Sequence, residues 1–253
     1  MAVDYAYGLH AVEELLRRRP ESVRSLWLAK GRDDRRLQVL AQLADAAGIE
    51  PMRVDRAHLD GLVSARHQGV VVELGSQTST AADLRWGEAE LTKKIADNPD
   101  ALILVLDGVT DPHNLGACIR SADAAGVTAV MVPKDNAADI GPVVRKVACG
   151  ATETVPLVRV TNLARALQGL QKAGVWIYGT AGEAENSLYD TSISGPVALV
   201  MGAEGSGMRR LTRENCDFLI KLPMAGTVSS LNVSVATGVC LFEIRRQRLL
   251  AVS

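Results

Sequence analysis

Three polar residues, Ser229, Ser230 and Asn232, stand directly before a stretch, Val233 to Phe242, that is apolar or small all round. Two readings fit them. Ser or Asn at a helix mouth accepts a bond from an otherwise orphan backbone N–H, or hydroxyls and loop backbone there hold a ligand. A second group is Gly202-Ala-Glu-Gly-Ser-Gly207. Its glycines are spaced G-x-x-G-x-G, which is not the dinucleotide fingerprint, and no P-loop Gly-Lys-Ser/Thr occurs in the chain. A third is Arg120, spaced i, i+4, i+7 with Gly116 and Asp123, so that the three share a helix face. An arginine amid Ala, Cys, Ile and Ser is expected to be paired, since burying a lone charge is costly. Glu204 is the expected partner. His113 is of the right type for a general base at neutral pH, but it sits in a turn, where a solvated role is expected. Cys118, Cys149, Cys216 and Cys240 lie far apart with no metal-ligand spacing, and no metal is called for.

These residues need elements to position them. From Ala101 onward, strand and helix patterns alternate. Ala101 to Leu106 is an unbroken apolar strand of the kind covered on both faces. Leu115 to Ala125 reads as a helix that Asn114 caps and Gly126 ends. Val127–Val132, Thr154–Val158, Val175–Thr180, Val197–Met201 and Phe218–Leu222 read as further strands, with Pro142 and Thr161 opening helices. Alternation of this kind predicts a parallel sheet with helices on both faces. Open α/β sheets bind ligands beyond the carboxyl ends of their strands, and three such ends lead into Asn114, Gly202 and the loop after Leu222. The helix from Val233 is expected to be buried on all sides.

The first 75 residues read as a smaller α/β domain. Helices are expected from Tyr7 to Leu16, from Asp33 to Ala47 and after Asp55, with strands at Val23–Leu28, Pro51–Val54 and Val70–Leu74. Arg17-Arg18-Arg19 and Arg32 with Arg35-Arg36 punctuate it, and with acidic Glu13, Glu14, Asp33 and Asp34 beside them solvated helix ends are one reading of these clusters. Gly75-Ser-Gln-Thr-Ser-Thr-Ala-Ala reads as a linker. The division expected is 1–75, a linker over 76–99, and a main domain over 100–253.

The chain has 253 residues, 47% hydrophobic and 23% charged, an ordinary soluble profile. No apolar run reaches the roughly 18 residues of a membrane span. Its opening, Met1-Ala-Val-Asp-Tyr-Ala-Tyr, lacks the form of a secretory signal, and cysteines so placed suit a reducing, cytoplasmic setting. The net charge of −1 argues mildly against a nucleic-acid partner. If RNA binds, the positive charge must be local or pooled between subunits.

Together, Asn114 to Gly126, Leu199 to Met208 and Ile220 to Glu243 resemble the three signature motifs of the SpoU–TrmH family of RNA ribose 2′-O-methyltransferases, and the likeness spans nearly the whole chain. The resemblance implies a SPOUT-type α/β catalytic domain with a deep trefoil knot, a ribosomal-protein-like RNA-binding domain before it, and a homodimer. It implies S-adenosyl-L-methionine as cofactor, held by Gly202, Leu222 and Leu231 with Ile220 and Thr180 nearby. Ordinary core packing is the alternative for Ile220, Leu222 and Leu231. It further implies that Asn114, Arg120, Glu204, Ser230 and Asn232 are catalytic-site positions, and that the methyl group goes to a guanosine ribose in large-subunit rRNA. A guanidinium normally stays protonated, so Arg120 acts either as an unusually perturbed base or as a clamp on phosphate while another group takes the proton. Arg145-Lys146 and Arg209-Arg210 either touch RNA phosphates or are solvated helix residues. Rival readings are a tRNA ribose methyltransferase, a non-catalytic ribosome-assembly factor, and a nucleotide-dependent oxidoreductase, for which the missing fingerprint speaks poorly.

Overall fold

A computed structural model of the chain describes residues 4–31, 35–64, 66–75 and 86–251. It divides into two compact units, Met1–Leu84 with Asp139–Thr154, and Arg85–Ala138 with Val155–Ser253. Residues 76–85 of the linker stretch lie outside the described residues, as do Arg32 and, of the second expected helix, Asp33 and Asp34.

The first unit holds β1 (Asp4–Tyr7), α1 (Leu9–Arg18), β2 (Val23–Ala29), α2 (Arg35–Ala46), β3 (Met52–Val54), α3 (Arg56–Leu62) and β4 (Val70–Leu74). Its sheet runs β1-β4-β2-β3, with β4 antiparallel to both β1 and β2 and β3 parallel to β2. Leu9, Val12, Leu15 and Leu16 of α1 join Leu37 and Leu40 of α2 in one core. Leu59 of α3 packs with Tyr7, Trp27 and Val71 in another. Tyr7 was expected to open the first helix but instead closes strand β1, and the helix starts at Leu9. The four residues of β1 pair with Leu74 to Val71, and that long-range pairing overrides the local pattern.

One further helix of this unit comes from much later in the sequence and packs against β1 and α1. Before it come α4 (Glu88–Ala96), β5 (Leu102–Asp107), α5 (Pro112–Ala125) and β6 (Ala129–Pro133) of the second unit; the helix itself is α6 (Pro142–Ala148). Arg145 on α6 is buried and pairs with Glu153 at 2.9 Å, while Arg19 approaches the same carboxylate at 3.4 Å. Arg145 is therefore not the solvated residue that its basic neighbourhood suggested. A buried carboxylate needs such partners, and Lys146 instead sits 5.5 Å from the Tyr7 ring centre.

The second unit continues with β7 (Leu157–Val160), α7 (Leu163–Lys172), β8 (Trp176–Thr180), β9 (Asn186–Ser187), β10 (Val197–Gly202), α8 (Arg210–Glu214), β11 (Phe218–Lys221) and α9 (Val233–Ala251). Its seven strands run β7-β6-β5-β10-β8-β11-β9, and all neighbours pair in parallel, as the alternation predicted. Leu91 and Ile95 of α4 with Leu163, Leu167 and Leu170 of α7 cover one face of the sheet. On the other, α5 and α9 pack on each other and reach β6 and β10. Small residues let those two helices approach closely: a side chain at Gly238 would sit 3.6 Å from Ser121 Oγ. Cys118 Sγ lies 3.5 Å from Thr237 Oγ1 in the same seam. Burial pushes the thiols of Cys118, Cys216 and Cys240 up, to about 11, 12 and 12, so they remain neutral.

Two expectations fail here. Asn114 does not cap α5. The helix begins earlier, at Pro112, and Asp111 is the cap, its carboxylate accepting from the His113 N–H at 2.9 Å. Nor is α9 buried all round. Val233, Cys240, Leu241 and Ile244 face inward, but Val235, Phe242 and Leu249, seven residues apart, are half exposed or more.

Candidate active site

Parallel register brings four strand ends to one edge. Asp107 of β5 pairs with Gly202 of β10, and Thr180 of β8 with Ile220 of β11. Beyond this edge lies a cavity of about 480 Å³, lined by residues 180–183, 201–208 and parts of 220–236. Thr180, Gly202, Ile220, Leu222 and Leu231 all line it, as do Glu204, Ser229 and Ser230. The Thr180 hydroxyl donates to Val200 O at 3.1 Å, tying β8 to β10 at the rim.

The loop after β10 is a tight reversal. Ala203 and Gly207 exchange backbone bonds of 3.1 and 2.9 Å, and Gly205 and Gly207 take φ of 79° and 67°. Gly202 is needed for a reason the sequence did not reveal. A Cβ there would meet Gly207 C at 2.3 Å and Met208 N at 2.4 Å, so the close backbone approach is by the loop itself. Asp107, unnoticed in the sequence, anchors the far end of this loop. Its buried carboxylate accepts from the Arg209 backbone N–H at 2.8 Å and from Arg209 Nε at 2.6 Å. The available signal was an acidic residue closing an otherwise apolar strand.

The polar residues meet at the mouth of the cavity. Asn232, just before α9, donates from Nδ2 to Asn114 Oδ1 at 3.0 Å and also to Glu204 Oε1. Glu204 Oε1 accepts from the Val233 N–H as well, at 3.2 Å. Asn232 Oδ1 in turn accepts from the N–H and hydroxyl of Ser234, at 3.0 and 2.6 Å. The capping reading of Asn232 therefore holds, and the same side chain also joins three separate stretches of chain. Glu204 spends its carboxylate on this junction, next to the first turn of α9, where the helix dipole favours negative charge.

Arg120 lies exposed on α5 and does not line the cavity, so its charge carries no burial penalty to offset. His113 is exposed at the start of the same helix. Across the rim, Arg213 binds Glu183 and holds that carboxyl below its ordinary value. Among the described residues no group of three or more His, Cys, Asp or Glu is placed to hold a metal ion, and no helix is long and apolar enough to cross a membrane.

A ligand of S-adenosylmethionine size fits this cavity. The volume lies within the roughly 300–1,000 Å³ of small-molecule sites, and apolar Ile220, Leu222 and Leu231 stand beside Ser229, Ser230 and Glu204. Much of the lining is glycine-rich backbone, which offers N–H and C=O groups without side chains in the way.

Comparison with known proteins agrees with this geometry. The SpoU rRNA Methylase family matches residues 101–242, and RNA 2′-O ribose methyltransferase substrate binding matches residues 5–78. The chain is 60% identical over 243 residues, 96% of both chains, to the 23S rRNA (guanosine-2′-O-)-methyltransferase RlmB of Pseudomonas aeruginosa. A crystal structure of an RNA 2′-O ribose methyltransferase superposes with a TM-score of 0.80 at 28% identity, covering 97% of this chain and 88% of that one. The AdoMet-bound rRNA methyltransferase of Sinorhizobium meliloti gives 0.72 at 25% identity, covering 96% and 87%. With both of its segments matched and its motif loops gathered at one cavity, the chain belongs to the SpoU rRNA methylase family.

Proposed function

We propose that this protein transfers a methyl group from S-adenosyl-L-methionine to the ribose 2′-hydroxyl of a guanosine in 23S rRNA. The observation that carries this reading is the Asn114–Asn232–Glu204 junction at the mouth of the cavity, which links the three motif stretches of the family. The name of the 60% identical relative points to guanosine in 23S rRNA.

The bound cofactor supplies a methyl group on a positively charged sulfur. Gly202, Leu222 and Leu231, with Thr180 and Ile220, form its seat, the backbone binding polar edges and the aliphatic side chains excluding water. Glu204, Ser230 and Asn232 hold the two loops and the first turn of α5 in register, so that Asn114 is fixed beside the seat. Arg120, exposed on the same helix, grips the incoming nucleotide at its phosphate and orients the 2′-hydroxyl for in-line attack, while another group takes the hydroxyl proton. Positioning of this kind supplies much of the rate in a displacement that needs no covalent intermediate.

Residues 1–75 serve as the RNA-binding domain, 76–99 as the linker and 100–253 as the catalytic domain, in a cytoplasmic enzyme. The stripe of Val235, Phe242 and Leu249 on α9 suits a homodimer seam, since exposed apolar residues at a seven-residue spacing form a continuous ridge. The return of the chain from β11 to α9, which packs against α5 and β10, is where a trefoil knot would close.

Tritiated methyl transfer to unmodified 23S rRNA and to tRNA, with mapping of the product, tests the proposal. Label in a single 2′-O-methylguanosine of 23S rRNA is expected. Label confined to tRNA would overturn the substrate, and no label in either would overturn the activity. Arg120→Ala should keep cofactor binding and lose turnover.

A further inference from the structure

A second concavity, of about 400 Å³, opens where the start of α7 meets the start of α8. Thr161, Asn162, Arg209, Arg210 and Thr212 provide its polar lining, and that lining contains no carboxylate. The carboxylates that pair with the two arginines, Asp107 and Glu214, lie outside it.

The two arginines are held differently. Arg210 pairs with Glu214 one turn along α8, with both side chains largely exposed, an arrangement that yields readily to a competing anion. Arg209 is fixed. The buried Asp107 takes its backbone N–H and its Nε, while its two Nη groups make no hydrogen bond among the described residues. Its side chain is 52% exposed and lines the concavity. A guanidinium held through Nε keeps its planar Nη edge for a second, bidentate acceptor, and phosphate oxygens match that fork. Asp107 pairs with Gly202, at the end of β10 that lines the cofactor cavity, so this fork is tethered to the same sheet edge.

We infer that this concavity seats one backbone phosphate of the RNA beside the reacting nucleotide, gripped by Arg209 and assisted by Arg210. The inference rests on the reading of the protein as an RNA methyltransferase. It also answers the objection raised by a net charge of −1: the positive charge is local, and the counter-charge of Arg209 is buried behind it.

The test uses the full-length protein and a stem-loop fragment of 23S rRNA, with binding measured by fluorescence anisotropy over a range of salt concentrations. Arg209→Ala keeps its backbone bond to Asp107 and should weaken RNA binding about 10-fold while lowering the salt slope by about one. Arg210→Ala, which alters only exposed groups, should weaken it about threefold. Arg209→Lys should keep the slope but recover only part of the affinity, because an ammonium lacks the fork. Affinity for S-adenosylmethionine, by calorimetry, should stay within about twofold in all three. Unchanged RNA affinity and slope in both alanine variants would overturn the phosphate seat. So would a matching loss of cofactor affinity, which marks a loop-anchoring role instead. At matched ionic strength, inorganic phosphate in place of chloride should leave wild-type binding within about twofold; a larger loss would make free phosphate the ligand. Wild-type protein that binds RNA with the full slope yet transfers no methyl would overturn the methyltransferase reading and leave the seat standing.

Discussion

Asp107 closes β5 and Glu204 follows the end of the neighbouring β10, yet the two carboxylates are held in opposite ways. Asp107 is buried, with one charged side chain and one backbone N–H as partners. Glu204 is exposed, and its hydrogen-bond partners among the described residues, the Asn232 amide and the Val233 N–H, are neutral. A buried carboxylate must be matched by a positive group, so it suits architecture. An exposed one can be held by neutral donors, which fix its position and leave its charge uncompensated for a substrate or a neighbouring cation. The two ends of the loop after β10 thus divide the work: one anchors it and the other equips it.

The sharpest way to break this contrast is Glu204→Ala. Turnover should fall about 100-fold or more, while the denaturation midpoint moves little because the site is exposed. A large stability loss with intact turnover would reverse the assignment. Asp107→Asn is the complementary change. The amide can accept from one Arg209 donor but turns its own NH₂ toward the other, so unfolding should become easier by about 1–3 kcal/mol in chemical denaturation. Asn232→Ala, which cuts the junction to Asn114 and Glu204 together, should raise KM and lower kcat, with a stability cost of about 1 kcal/mol.

The smallest effect is expected at a third carboxylate. Arg246, three residues on along α9, holds the Glu243 carboxyl at about 2, with Gln247 adding a further hydrogen bond. The folded value lies below the ordinary 4.5. Its contribution to stability is therefore complete above pH 4.5 and is lost as pH falls toward 2. Denaturant midpoints across that window should drop less for Glu243→Gln than for wild type. Identical acid profiles would remove Glu243 from the account.

Some of this organisation was legible in the residues alone. The unbroken apolar run at Ala101–Leu106 and the alternation after it announced a parallel sheet, because a strand covered on both faces needs no polar side. Asn232 was marked as special by its place before an apolar helix. Local pattern misled where a distant partner decided the outcome. Tyr7, expected at the head of a helix, joined a strand because β4 was there to pair with it, and Asn114 lost its expected capping role because Asp111-Pro112 starts α5 sooner.

By itself the sequence determined the layer architecture, the strand ends that face the cavity and the small residues of its loops, since these follow from periodicity and backbone freedom. Tertiary structure alone decided that Glu204 bonds Asn232, that Asp107 pins Arg209 across 102 positions, and that residues 139–154 belong to the first unit. The physical reason is common to all three. Hydrogen bonds and ion pairs form between groups that folding brings within about 3 Å, and no spacing along the chain encodes which distant group will arrive.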